Sequence, residues 1–216
     1  MSSTEREDPH LIADESALRA LFGETHELAR QKCLGALDAH ARAFVTRSPF
    51  LCLSTQGAEG RADVSPRGDP PGFVTVLDER TLAIPDRPGN NRLDSLSNIL
   101  ANPSVGLLFM VPGFEETLRV NGRARLSTDP ALLEPMAVNG RVPTLAILVG
   151  IDEVFLHCAK AFRRSRLWDP EHRQDRREMP SLRKMIADQT TGAPDDPEEL
   201  RRMDEELEAA YRESMY

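Results

Sequence analysis

Apolar positions change their rhythm near residue 50. Before it they recur at helical spacing. Leu28, Cys33, Leu37, Ala41, Phe44 and Val45 predict one helix over residues 26–48, ended by Pro49. His26 and His40 fall on its solvated face. A shorter helix, capped by Asp14 or Ser16, precedes it and stops near Gly23. From Phe50 the pattern alternates. FLCLSTQ and RADVSPR read as two strands joined by the turn GAEG, and GDPPG as a tight loop. FVTVLD and TLAIPD read as a second pair turning at Glu79-Arg80. PGNNRLDSLSNILANP reads as a loop followed by a helix, with Asn90 or Asn91 as its N-cap and its end before Pro103. SVGLLFMVP is expected to be a buried strand. ETLRVNGRARLS is expected to be a long strand with a bulge at Asn121-Gly122, because the alternation resumes after it. Thr128 or Asp129 caps a short helix begun by Pro130, and PTLAILVGIDEVFLHC is the last long strand, bent at Gly150. RRSRLW, PSLRKMIADQ and DPEELRRMDEELEAAYRES are polar helical segments, with residues 192–197 as a linker.

About seven strands thus follow one another through short turns, with two helices inserted. Such a sheet is mostly antiparallel, a barrel or a sandwich and not a doubly wound fold. No internal repeat is visible. A length of 216 residues suits one domain with additions at its ends. The content of 40% hydrophobic and 29% charged residues excludes a wholly disordered chain. No apolar run has the length of a membrane span, and MSSTEREDPH lacks the apolar core of a signal peptide, so a cytoplasmic location is expected. Cys33, Cys52 and Cys158 share no CxxC spacing and are expected to be reduced thiols in or near the core.

Charge divides the C-terminal third. Residues 195–216 hold nine acids and three arginines, a net of −6, within a chain whose formal net charge is −8. Residues 159–184 hold nine bases and four acids, a net of +5. A basic block can bind nucleic acid, but no nucleic-acid motif accompanies it. The expectation is a segment that pairs with acids or binds one small anion, with no nucleic-acid partner and no membrane.

Several chemistries lack their residues. There is no GxGxxG after a strand, no GxxxxGK[ST] and no G-x-S-x-G. His157 and Cys158 are neighbours on a strand and point to opposite faces, so they neither share a metal nor form a nucleophile–base pair. No metal site is expected. What remains is a set of anion binders on loops between strands. Ser65, Arg67 and Gly68 close one strand; Arg87, Asn90, Asn91 and Arg92 follow another, with Ser95 at the helix start. Free helix N–H groups, hydroxyls and guanidinium forks suit a phosphate. Asp-Arg-Pro-Gly-Asn-Asn is equally an ordinary turn composition, and spacing alone leaves both readings open.

RADVSPRGDPPGFV, TLAIPDRPGNNRLDSLSNILANPSVGLLFMVP and ETLRVNGRARL together resemble the pyridoxamine 5'-phosphate oxidase-related family of FMN-binding split barrels. NILANPSVGLLF is similar to that family's helix, Asn-Pro and buried strand, and ETLRVNGRA to its strand ending in Gly-x-Ala. FLHCAKAFRRSRLW is similar to a motif of a bacterial subgroup. The resemblance covers roughly residues 40–170. It implies a mainly β, α+β fold: an antiparallel split β-barrel of six to seven strands over 49–168, with a helical segment at 1–48 packing on it and a helical acidic tail at 169–216. It implies a homodimer with FMN at the interface.

Carried over by position, Arg61, Asp63, Ser65 and Arg67 lie along the flavin, Ile84 and Pro85 touch it by backbone, and Arg87, Asn91, Arg92 and Ser95 surround its phosphate. Thr117 and Arg119 approach the ring from the other side. Lys160, Arg164 and Trp168 complete the pocket from the partner chain or flank it. Ser95 stands where the family's oxidases carry a phosphate-binding lysine, which gives that task to Arg92. The C-terminal Arg-x-His pattern that serves vitamin B6 is replaced by RRSRLW. The implied function is an FMN-dependent oxidoreductase acting on a small molecule other than vitamin B6, anionic substrates included, with no catalytic side chain singled out. The alternatives are a flavin- or haem-binding protein that stores or senses, and a deazaflavin-dependent reductase.

Overall fold

The computed structural model describes residues 10–216; the first nine, on which the reading of the N-terminus rests, lie outside the described residues. The chain divides into two compact units between Cys33 and Leu34. The first holds two short helices, α1 (Glu15–Ala20) and α2 (Glu27–Gln31), neither with a buried residue. Asp14 caps α1 by accepting from the Ala17 N–H, and His26 caps α2 by accepting from the Leu28 N–H.

The second unit begins where the single helix expected over 26–48 breaks. Leu34 is tied by a two-way backbone bridge to Val154, and the Leu37 N–H bonds to the Glu79 carbonyl. These tertiary bonds hold residues 34–37 out of the helix, with a bend at Gly35 and Ala36. Asp38 then caps α3 (Ala39–Arg47), whose Ala41, Phe44 and Val45 face the core.

Seven strands follow: β1 (Phe50–Gln56), β2 (Ala62–Gly68), β3 (Thr75–Val76), β4 (Thr81–Pro85), then α4 (Asp94–Ala101), β5 (Ser104–Met110), β6 (Thr117–Ser127), α5 (Pro130–Leu133) and β7 (Ala146–His157). They form one sheet in the order β2-β1-β5-β6-β7-β4-β3, every pair antiparallel. No ladder joins β2 to β3 among the described residues, so the barrel is split there. Its inner face carries Leu51, Leu53, Leu82, Ile84, Leu107, Phe109, Leu118, Val120, Ile147 and Val149, all essentially inaccessible to solvent. The strand β5, an uninterrupted apolar run in sequence, is buried on one face only; Leu108 and Met110 turn to the other.

The bulge expected at Asn121-Gly122 is present. It lies where β6 and β7 approach so closely that a Cβ on Gly122 would sit 2.0 Å from the Gly150 carbonyl oxygen. Beyond the sheet come α6 (Lys160–Ser165), α7 (Leu182–Gln189) and α8 (Pro197–Ser214), the last two capped by Ser181 and Asp196. Two thiols depart from expectation. Cys158 is exposed beyond the end of β7, and Cys52 is half-buried on the outer sheet face, because the alternation of β1 gives the core to Leu51 and Leu53.

Candidate functional site

Alternation along β2 decides which of its residues can act together. Asp63, Ser65 and Arg67 pair with Thr55, Leu53 and Leu51 and share their face, whereas Val64 and Pro66 point the other way. α4 lies over this face and places Ser95 against it. The Ser95 hydroxyl is 3.0 Å from Ser65 Oγ and 3.2 Å from Asp63 Oδ2, and Arg67 Nε lies 3.3 Å from Ser65 Oγ. Each group can donate to the next, from guanidinium through both hydroxyls to the carboxylate. Ser95 is 4% exposed, so this line is fixed in place and its outer end opens to solvent at Arg67.

The loop from Pro85 to Leu93 forms the opposite wall. Three acids hold the arginines of the two walls, and two of them, Asp69 and Asp86, are far from their partners in sequence. Arg67 pairs with Asp86 at 2.6 Å, Arg87 with Asp69 at 2.6 Å, and Arg92 with Asp94 at 2.8 Å. The Asp94 hydrogen bond and charge hold the Arg92 guanidinium above its ordinary pKa. The expected N-cap role of Asn90 or Asn91 is corrected. Asn90 Oδ1 accepts from the Arg92 N–H at 3.1 Å, forming a local turn, and Leu93 occupies the cap position with φ of 59°. Asn91 has φ of 56°. A leucine in left-handed backbone is uncommon and strained. It also brings no capping oxygen, so no side chain satisfies the first amides of α4.

Between these walls lies a cleft of about 1180 Å³. Asp63, Ser65, Arg67, Pro85, Arg87, Asn91, Arg92 and Ser95, all candidates from the sequence, line it together with Arg141, Thr144 and Tyr216 from later segments. Seven other predicted residues are not brought to it within the chain. Arg61 precedes β2 in an exposed turn, and the Ile84 side chain is in the core. Thr117 is buried at the start of β6, and Arg119 lies on the outer sheet face over the Phe155 ring at 5.2 Å. Lys160 and Arg164 sit one turn apart on α6, and Trp168 follows it. The Trp168 indole N–H donates to the Phe114 carbonyl at 2.7 Å and its ring lies 5.7 Å from that of Phe162. Arg166 binds Asp169, whose carboxyl the Glu171 backbone N–H and then this guanidinium hold below the usual carboxylate range.

Sequence reasoning missed Asp69, Asp86 and Tyr216. The Tyr216 hydroxyl donates to Asp69 Oδ1 at 2.7 Å, and the Arg87 guanidinium lies 5.8 Å from its ring centre. The hydrogen bond to the Asp69 carboxylate, with a smaller contribution from burial, raises the Tyr216 pKa above its ordinary value. Among the described residues no cluster of histidine, cysteine or acidic side chains is arranged to hold a metal, and no helix is long and apolar enough to cross a membrane.

The family model described as pyridoxamine 5'-phosphate oxidase matches residues 37–158, over half of the chain. The chain belongs to the pyridoxamine 5'-phosphate oxidase family. That is a family of flavin-binding oxidoreductases, and the matched residues take in the whole split barrel and every residue lining the cleft apart from Tyr216. No curated protein sequence gives a significant match. Similar solved structures include HupZ from Group A Streptococcus, 15% identical, with a TM-score of 0.46 over 56% of this chain and 93% of that one. General Stress Protein 26 from Bacillus anthracis is 15% identical, with a TM-score of 0.42 over 53% of this chain and 88% of that one. An F420 reductase is 17% identical, with a TM-score of 0.42 over 55% of this chain and 98% of that one.

Proposed function

We propose that the chain is an FMN-dependent oxidoreductase and that the cleft holds the flavin with its phosphate at the start of α4. The carrying observation is the donor set gathered there: amides of α4 that no side chain caps, the hydroxyls of Ser95 and Ser65, and the guanidinium groups of Arg67 and Arg92. Helix amides, hydroxyls and guanidinium forks together are the chemistry of a phosphate site. The strain at Leu93 fits the same reading, since it keeps that helix end open to a ligand. The volume suits a ligand of FMN size, and the cleft has no second glycine-rich loop for a pyrophosphate, which favours FMN over FAD.

Within this site Ser95 and Arg92 hold the phosphate, and the line from Arg67 to Asp63 keeps Ser95 in one orientation. Pro85 and the strand face of β2 set the plane along which the ring lies. Bound FMN would supply the electron transfer, and the protein's share is placement, electrostatics and exclusion of water. Replacing the family's lysine by Ser95 shifts cationic recognition to Arg92, which Asp94 orients.

A homodimer completes the proposal. The outer face of the sheet presents Cys52, Leu108 and Phe155 in one cross-strand row with Arg119, half-buried apolar side chains that a second copy would cover. Thr117, Lys160, Arg164 and Trp168, absent from the cleft of their own chain, would then reach the partner's flavin. Light scattering should give about twice the 24.1 kDa chain mass; an FMN-loaded monomer would remove this part of the reading.

Flavin titration of the apoprotein tests the phosphate assignment. Ser95→Ala and Arg92→Ala are each expected to weaken FMN binding about tenfold to a hundredfold, the loss of one charge-assisted contact of about 1.5–3 kcal/mol. Riboflavin, which lacks the phosphate, should bind the variants and the wild type alike. Unchanged FMN affinity in both variants would place the phosphate elsewhere.

A further inference from the structure

The 147 residues that separate Tyr216 from Asp69 make their hydrogen bond a deliberate closure of the chain onto the cleft. The Asp69 side chain is 2% exposed, and its two oxygens are divided between Arg87 at 2.6 Å and the Tyr216 phenol at 2.7 Å. Arg87 in turn lies against the Tyr216 ring, and Arg141 donates to the Glu213 carbonyl at 3.4 Å. These contacts fasten the end of α8 and the residues after it to Asp69, just beyond β2, and to Arg87 of the β4–α4 loop, at the edge of the cleft. Of the cleft's lining residues only Phe73 and Tyr216 are aromatic. The remaining walls are arginine, aspartate, serine, asparagine and short apolar side chains, which offer a planar ring little surface to pack on.

We propose that Tyr216 is a ligand-contacting residue of this cleft, carried on a C-terminal strap that closes over the bound flavin and is latched by Asp69 and Arg87. The proposal rests on the FMN reading above and adds to it a residue outside the matched family region. The attachment is sparse. None of the residues of α8 is buried, and their charges pair mostly within the helix, as Arg201 does with Glu198 and Glu205. Segments held by few buried contacts open at small cost in free energy, which allows a ligand in and out. The latch is a neutral phenol on a carboxylate already paired with arginine, so opening the strap leaves no unpaired charge behind. When closed, the aromatic ring excludes water from the face it covers.

The test uses the full chain and FMN as the probe. Release of FMN after dilution is followed by its fluorescence in wild type, Tyr216→Ala and Tyr216→Phe, with iodide quenching of the bound flavin as a second reading. Thermal melts of the apoproteins establish that both variants fold. Tyr216→Ala should release FMN about fivefold to tenfold faster and expose it to iodide, the loss of an aromatic contact. Tyr216→Phe, which keeps the ring and loses only the latch, should fall between the two. Release and quenching unchanged in Tyr216→Ala would overturn the strap and leave the FMN reading intact. Tighter binding by Tyr216→Ala would also overturn it, by showing that the ring occupies the ligand's own place. If the wild type binds no FMN, the reading beneath the proposal fails and the proposal falls with it.

Discussion

Arg87→Ala is expected to lower the stability of the protein by about 3 kcal/mol, because it strands a carboxylate that has no access to water. The Asp69 side chain is 2% exposed and that of Arg87 17% exposed, with 2.6 Å between them. Removing the cation leaves Asp69 with the Tyr216 phenol alone. The contrast with the surface pairs is a matter of magnitude. Arg201 and Glu198, both largely exposed, meet at 2.7 Å yet such pairs are worth about 0–1 kcal/mol, since water and salt screen them. Urea unfolding of Arg87→Ala against Arg201→Ala separates the two cases. A loss below about 1 kcal/mol for Arg87→Ala, equal to that of Arg201→Ala, would mean that the pair is solvated and does not organise the cleft wall.

Gly122→Ala is expected to cost about 3 kcal/mol or more, for a reason that lies in the backbone. The added methyl would stand 2.0 Å from the Gly150 carbonyl oxygen, 3.0 Å from its carbon and 3.3 Å from the Ile151 Cα. No side chain can rotate away, so β6 and β7 must separate at the bulge that their pairing depends on. Gly23→Ala, with nothing within 4 Å of the new methyl, should change stability by less than about 0.5 kcal/mol. Denaturant midpoints for the two variants give the comparison. Near-equal midpoints would show that the strands are less tightly apposed than described.

Much of this fold is legible in the sequence because its strands alternate. The core face of β1 and the cleft face of β2 follow from the period of two, and the bulge from a glycine within a long alternation that resumes. The helix expected across residues 26–48 is where local pattern fails. Cys33 and Leu37 have helical spacing, yet Leu37 and its neighbour Leu34 bond by their backbone to a loop and a strand far along the chain. The uniform apolar run of β5 conceals which face is buried, since an outward leucine reads like an inward one. In the site, hydroxyls and arginines are visible as candidates from their place on loops and at a helix start. Their carboxylate partners are not, because Asp69 meets Arg87 across 18 residues and Asp86 meets Arg67 across 19. Tyr216 lies in a polar tail with no local sign of the cleft it reaches. The N-cap reading failed differently: Asn90 does accept a backbone N–H, but two residues on, in a turn that ends before the helix begins.

The central claim is that the cleft between β2 and α4 binds FMN through its phosphate. The most direct measurement is the identity of the chromophore released when the purified protein, first incubated with a mixture of FMN, FAD, riboflavin, a deazaflavin cofactor and haem and then freed of unbound ligand, is denatured and its supernatant separated by chromatography with mass detection. The account predicts FMN at about one molecule per chain, little riboflavin or FAD, and a loss of the FMN but not of the fold in Ser95→Ala with Arg92→Ala. Recovery of haem or the deazaflavin in place of FMN, or of FMN undiminished in the double variant, would contradict it.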